Sequence, residues 1–341
     1  MAIVTIVGAG MMGSALVFPA RHNKNTVRLV GTVLDDEIID ASVKTGRHPK
    51  FTVDFPDGVE YYHFSEFDKA LHGSDFVICG VSSFGVDWFA QAVLPKLGKI
   101  PVLSVTKGML DLPDGTLLTY PEYWNSVCPE AEICAIGGAC TSYELVAEDP
   151  TVVAYCGKNR DTLQMMRKCM ETDYYYITLT EDIRGVEASV ALKNAYAFGV
   201  TLTIGINEKM RGEGAKQHYN SQAAAFAQGS KEMRSLVRYL GGNDDSIDVG
   251  IGDLFVTVFS GRTRLIGTLL GRGVSLPDAL KQLEGITLES NVVSERVGRA
   301  LRKQAADGRI NMEDYPMMDL VYGILTENKK AEMPWKSFAG R

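Results

Sequence analysis

Gly8-Ala9-Gly10-Met11-Met12-Gly13-Ser14-Ala15 follows the apolar run Ala2–Val7 and opens a helix-compatible stretch. Strand, glycine turn and helix start, in that order, form a dinucleotide-binding fingerprint. Gly8 permits the tight turn, Gly10 lets the backbone approach a pyrophosphate, and Gly13 lets helix and strand pack closely. The exposed amides and the dipole at the helix N-terminus favour phosphate charge. Glycine-rich turns also join strands to helices for structural reasons alone, so the motif counts here through its position directly after a strand.

The rest of the first half repeats this rhythm. Candidate strands are Ile3–Val7, Val27–Val30, Phe76–Val81, Val102–Val105, Ile133–Ile136 and Thr151–Tyr155, with helical stretches at Gly13–Arg21, Phe67–Leu71, Trp88–Leu97 and Arg160–Met170. Most of the strands are unbroken apolar runs, as strands covered on both faces should be. The alternation predicts an α/β unit with a Rossmann-type, doubly wound, mainly parallel sheet. Ligands of such sheets bind beyond the carboxyl ends of the strands. From about Arg184 the pattern becomes helical, with stretches at Val186–Ile206, Ser221–Leu240, Arg264–Gly271, Leu276–Leu283, Glu289–Asp307 and Met317–Thr326. The expected organisation is therefore a dinucleotide-binding domain over 1–183 and an all-α substrate domain over 184–341, packed directly, with a cleft as the favoured ligand site.

Composition bounds the function. Hydrophobic residues make up 45% and charged residues 23%, as in an ordinary globular protein. A net charge of -7 without a basic cluster gives nucleic acid no electrostatic footprint. The longest apolar candidate for a membrane span, Ala188–Ile206, holds Lys193 and Asn194 at its middle, which is costly in hydrocarbon, so a buried helix is expected. Six cysteines show no metal-ligand spacing and are too sparse for a disulfide framework, which reads as reduced thiols in a cytoplasmic protein without a metal.

Lys193 is the only charged residue between Glu187 and Glu208. A buried lysine is costly unless paired, and desolvation lowers its pKa toward a range useful for proton transfer. The alternative is a lysine snorkelling from the edge of a packed helix. Asn194 beside it could hydrogen-bond a substrate oxygen. In Gly252-Asp253-Leu254-Phe255-Val256-Thr257, a helix would place Asp253 and Thr257 on one face, and Asp253 could supply the carboxylate that Lys193 needs. Ser260-Gly261-Arg262-Thr263-Arg264 combines hydroxyls, glycine and guanidinium forks, which suits a phosphate ester, or else is a capped helix end with solvated arginines. Lys107, in Ser104–Gly108, and Ser82 and Phe84, in Val81–Phe84, follow candidate strands at the binding edge of the sheet.

Taken in order, Gly8–Gly13, Ser104–Gly108, Ala191-Leu192-Lys193-Asn194, Asn220 through Gly229 to Glu232-Met233, Gly252-Asp253-Leu254, Gly261–Arg264, Leu283-Glu284-Gly285 and Pro316-Met317-Met318 resemble the NAD(P)-dependent glycerol-3-phosphate dehydrogenases. The resemblance spans nearly the whole chain. It implies dihydroxyacetone phosphate and glycerol 3-phosphate as the substrate pair, and a homodimer. It also implies Lys193 as proton donor and acceptor, balanced by Asp253, with Lys107 close to the substrate. Asn194, Thr257, Gly261, Arg262, Thr263 and Gly137 would hold substrate, with Arg262 facing the phosphate. Met11, Met12, Ser82, Phe84, Lys107, Thr141, Arg262 and Glu284 would lie toward the cofactor.

The chain also departs from the family pattern. Many bacterial members carry Trp-Ala-Arg after the second strand, where Val30-Gly31-Thr32 stands here. Asp35 and Asp36 follow about twenty residues past the fingerprint, where a carboxylate can bond the ribose 2′-OH and repel a 2′-phosphate, so NAD is expected over NADP. Gly137-Gly138-Ala139-Cys140-Thr141 replaces the family's Gly-Pro-Ser-Phe-Ala loop, Thr263 an asparagine and Ser82 a proline. These changes leave open a longer polyol phosphate, or a 3-hydroxyacid or ketopantoate-type substrate. A non-catalytic NAD sensor on the same scaffold is the alternative of another class.

Overall fold

A computed structural model describes residues 1–286 and 288–339. Its strands are β1 (Ile3–Val7), β2 (Thr26–Val30), β3 (Val59–Tyr62), β4 (Phe76–Cys79), β5 (Val102–Ser104), β6 (Met109–Asp111), β7 (Leu117–Thr119), β8 (Ile133–Gly137), β9 (Thr151–Cys156) and β10 (Tyr175–Thr180). The helices of the first half are α1 (Met11–His22), α2 (Asp36–Thr45), α3 (Phe67–Leu71), α4 (Val86–Ala92), α5 (Leu94–Leu97), α6 (Tyr120–Val127), α7 (Ser142–Val146) and α8 (Arg160–Met170). Those that follow are α9 (Ile183–Arg211), α10 (Tyr219–Tyr239), α11 (Asp245–Ser260), α12 (Arg262–Arg272), α13 (Leu276–Gln282), α14 (Glu289–Ala306), α15 (Pro316–Thr326) and α16 (Trp335–Phe338).

The chain divides into two compact units, Met1–Lys107 with Tyr120–Glu187, and Gly108–Thr119 with Ala188–Arg341. In the first, eight strands form one sheet in the order β10-β9-β8-β5-β4-β1-β2-β3. Every pairing is parallel except β8 with β9, so the doubly wound, mainly parallel sheet expected from the sequence is present. Its order reverses at β1, which has β2 on one side and β4 on the other. A ligand crevice belongs at such a point. The central strands are apolar because helices cover both faces: Val4, Ile6, Val7, Val77 and Ile78 are all fully buried. The polar strand β3 and the alternating strand β10 lie at the two edges, where half the side chains meet water.

The second unit is helical apart from the antiparallel pair β6 and β7. That hairpin sits with the helices, a placement the sequence reading does not make. Arg299 of α14 forks onto the Asp111 carboxylate at 2.7 and 3.2 Å, and Arg296 donates to the Met109 carbonyl at 3.1 Å. Helix α9 is apolar on all sides, with Ala188, Val190, Leu192, Ala195, Phe198 and Leu202 almost fully buried, as a helix at the centre of a bundle must be. No helix among the described residues is long and apolar enough to cross a membrane.

Helices α9 and α12 meet backbone to backbone. A Cβ on Gly205 would lie 2.0 Å from the Thr268 carbonyl, and one on Gly271 would lie 2.2 Å from that of Leu202. This seam fixes α12, which begins at Arg262, against the helix that carries Lys193. Gly271→Ala forces the helices apart and should cost about 1–3 kcal/mol, read as a lower urea midpoint at unchanged slope.

Candidate active site

The first unit builds the glycine turn. Gly8 has φ +109°, and a Cβ there would meet the Gly80 backbone at 2.8 Å. A Cβ on Gly13 would lie 2.1 Å from the Gly8 carbonyl oxygen, so neither position admits a side chain. Gly10 is different: no atom lies within 4 Å of the Cβ position, which leaves open space over the turn. Gly10 is also the N-cap of α1 and supplies no side-chain cap. The first turn, at Met11 and Met12, therefore presents amides that a bound anion can take up. An open cradle above an uncapped helix N-terminus fits a dinucleotide pyrophosphate.

Asp35 is drawn into this turn. Its Oδ2 accepts from the Ala9 amide at 3.2 Å and from the Thr32 amide and hydroxyl at 2.8 Å each, tying the loop after β2 to the fingerprint. Asp36 turns elsewhere and pairs with His63 at 2.9 Å. His48, absent from the sequence reading, is buried close to Ala9 and Asp35, and burial lowers its pKa. Ser82 and Phe84 stand in the turn after β4, and Phe84 is 64% exposed.

Beyond β5, the Lys107 ammonium donates to the Gly138 carbonyl at 3.1 Å. Gly137 closes β8, and Gly138 follows at φ +122°. Its Cβ position is 3.1 Å from the Val152 carbonyl, so the loop that differs from the family pattern needs glycine here. Thr141 caps α7: its hydroxyl donates to the Glu144 carboxylate at 2.7 Å and accepts from the Glu144 amide at 3.4 Å. This is a side-chain N-cap, reinforced by the hydroxyl–carboxylate bond.

The second unit pairs Lys193 with Asp253, two of the three residues expected to carry the chemistry; Lys107 belongs to the first. Lys193 Nζ lies 2.5 Å from Asp253 Oδ1, with side chains only 12% and 4% exposed. The lysine is thus a nearly buried, paired ammonium and does not snorkel. Asp253 and Thr257 share one face of α11, and the Thr257 hydroxyl donates to the Asp253 carbonyl at 2.8 Å. Asn194 is buried beside Lys193 in sequence. Gly261 ends α11 and begins α12; a Cβ on it would be 2.6 Å from the Thr257 carbonyl. Thr263 is buried, whereas the Arg262 side chain is 55% exposed, with a Glu289 carboxylate oxygen at 3.6 Å. Glu284 is exposed on the turn after α13. The described residues contain no cluster of side chains suited to a metal ion.

Two acidic groups escaped the sequence reading. Glu289 reads from the sequence only as a helix start. Glu187 reads only as a charge bounding an apolar run, yet it is fully buried, and burial pushes its pKa up to about 8 while the Lys107 ammonium pulls it down.

Known proteins resemble this chain along nearly its whole length. The model of the NAD-dependent glycerol-3-phosphate dehydrogenase N-terminus matches residues 3–163, and that of its C-terminus matches residues 182–336. An NADP(+)-dependent glycerol-3-phosphate dehydrogenase of Archaeoglobus fulgidus is 32% identical over 338 residues, covering 97% of each chain. A glycerol-3-phosphate dehydrogenase [NAD(P)+] of Myxococcus xanthus is 27% identical, covering 96% of this chain and 93% of its own. The crystal structure of glycerol-3-phosphate dehydrogenase from Coxiella burnetii shares the fold, with a TM-score of 0.82 at 22% identity over 100% of this chain and 99% of that one. The chain belongs to the NAD-dependent glycerol-3-phosphate dehydrogenase family.

Proposed function

We propose that this chain is an NAD(P)-dependent dehydrogenase that interconverts sn-glycerol 3-phosphate and dihydroxyacetone phosphate, with Lys193 moving the proton. The observation that carries this reading is the Lys193–Asp253 pair, an ammonium and a carboxylate held in an otherwise apolar helix environment. When bound, the dinucleotide supplies or accepts the hydride. In the reducing direction Lys193 gives a proton to the substrate oxygen as negative charge develops there, and Asp253 keeps the ammonium aimed and balanced. Asn194 and Thr257 offer hydrogen bonds to the polyol. Arg262, with Gly261 and Thr263 at the start of α12, takes the phosphate, so binding energy remote from the reacting carbon orients the substrate. Gly8, Gly10 and Gly13 give the dinucleotide its turn. NADH oxidation should be seen with dihydroxyacetone phosphate and be weaker with longer ketose phosphates and with ketopantoate. Cofactor binding without turnover on any phosphorylated ketone would point to a sensor instead.

We further propose NAD over NADP. Residues 31–38 carry no arginine or lysine, and the Asp35 carboxylate repels a 2′-phosphate at this end of β2. An opposite pull would come from Lys50, two residues from His48, which burial keeps neutral. The A. fulgidus relative is, by its description, NADP(+)-dependent. The kcat/KM for NADH should exceed that for NADPH; equal or inverted values would overturn the charge argument. A homodimer rests on the family resemblance, and a cytoplasmic setting on the sparse cysteines of the sequence, which carry no disulfide framework.

A further inference from the structure

The parallel ladder that joins β4 to β5 pairs Cys79 with Ser104 and ends where the Val105 amide donates to the Cys79 carbonyl at 3.1 Å. The next amide, that of Thr106, turns back to the Ser104 hydroxyl at 3.1 Å. A side chain then makes the rung that the backbone leaves out: the Thr106 hydroxyl donates to the Val81 carbonyl at 2.8 Å. A hydroxyl has a single hydrogen, so its oxygen is left to accept, and Cys79 Sγ lies 3.6 Å from it. Burial pushes the Cys79 thiol up to about 12, so it keeps the proton it donates. Cys79, Ser104 and Thr106 are all nearly fully buried. Polar groups this deep are tolerated where they are bonded, because an unpaired one forfeits its hydration.

Both ends of the Thr106–Val81 bond lie beside groups read as ligand-facing. On one side, Val81 leads into the turn that carries Ser82 and Phe84. A Cβ on Gly8 of the fingerprint would come within 2.8 Å of the Gly80 backbone and 3.0 Å of the Val81 amide. The Gly80 amide donates to the Val7 carbonyl at 2.8 Å, which pins this peptide to β1. On the other side, Thr106 runs directly into Lys107. One buried hydroxyl therefore joins the turn packed on the glycine fingerprint to the end of β5, close to the point where the strand order reverses.

We propose that Thr106 is a positioning residue for the reaction: its hydroxyl holds the turn after β4 against the end of β5. It thereby sets the spacing between the cofactor-side Ser82 and Phe84 and the substrate-side segment at Lys107. The proposal rests on the reading of this strand-end crevice as the dinucleotide site.

In the full-length enzyme, Thr106→Val removes the donor and keeps the shape. It should lower kcat for dihydroxyacetone phosphate, and weaken NADH binding titrated directly, by about tenfold each, the scale of a displacement below an ångström. Thr106→Ser keeps the hydroxyl and should return both close to wild type. Cys79→Ala is the control for packing, since it removes a neighbour of the same hydroxyl and leaves the bond to Val81. It should lower the melting temperature while kcat and NADH affinity stay close to wild type. Wild-type turnover and affinity in Thr106→Val, or equal losses in Thr106→Ser or Cys79→Ala, overturn the proposal.

Should Thr106→Val fail to fold, Thr106→Ala carries the same comparison, because it removes the hydroxyl without pressing a methyl group on the Val81 carbonyl. A wild type that binds no NADH would sink the crevice reading and this inference with it. A wild type that binds NADH, beside an unaltered Thr106→Val, sinks this inference alone.

Discussion

Lys193→Ala should lower turnover of dihydroxyacetone phosphate by roughly 10²–10⁴-fold, the usual scale for a positioned acid-base group, with NADH affinity nearly kept. The dinucleotide contacts assigned to the first unit do not involve this residue. The substitution also removes the cation 2.5 Å from the buried Asp253 carboxylate, which should lower the stability of the second unit. Assays therefore belong well below the melting temperature, with NADH binding titrated on the same sample. Asp253→Asn, which keeps shape and removes charge, separates the effects: it should slow turnover through loss of lysine positioning while sparing more stability. Turnover by Lys193→Ala within a few-fold of wild type would remove Lys193 from the mechanism.

Arg262→Ala is the second large effect expected. A guanidinium that pairs with a substrate phosphate contributes about 2–5 kcal/mol on truncation, or roughly 30- to several-thousand-fold in kcat/KM. Unphosphorylated dihydroxyacetone should lose little. Stability should hardly move, because the Arg262–Glu289 contact is 3.6 Å long and more than half exposed on the arginine side. Equal losses on the phosphorylated and unphosphorylated ketone would show that Arg262 acts on something other than the phosphate.

The sequence disclosed the parallel sheet best where both faces are covered. Strands β1, β4 and β8 read as apolar runs because helices take every side chain out of water. Strands β3 and β10 were not legible, since an edge strand exposes part of its surface and Val59-Glu60-Tyr61-Tyr62 looks like a loop. The hairpin β6–β7 hid for another reason: its three-residue strands are held by Arg296 and Arg299, nearly two hundred residues away. Helix α11 is absent from the helical stretches read in the sequence, and its Gly250 and Gly252 lower its intrinsic helix propensity.

Within the site, the Lys193–Asp253 pair could be anticipated because each charge interrupts a long apolar stretch and the two signs are opposite. From the sequence Asp35 reads as a carboxylate for a ribose hydroxyl; its bonds to the Ala9 and Thr32 amides depend on loop conformation that spacing does not encode. Thr141 reads from the sequence as a cofactor-side residue, and its cap on α7 goes unread although its spacing from Glu144 suits one. The burial of Glu187 was not legible either, because a single acid at the margin of an apolar run is ordinarily solvated, and only tertiary burial makes it otherwise.

The hairpin Gly108–Thr119 means that the polypeptide passes from one compact unit to the other at residue 107, back at 119, and over again at 187. No single cut in the gene would release either half whole. A fragment ending at Glu187 would keep a two-stranded ribbon deprived of Arg296, Arg299 and Gln304, and its complement would keep those side chains with nothing to grip. Exchange of whole halves between relatives would have to move these twelve residues of ribbon as well, with three junctions in place of one.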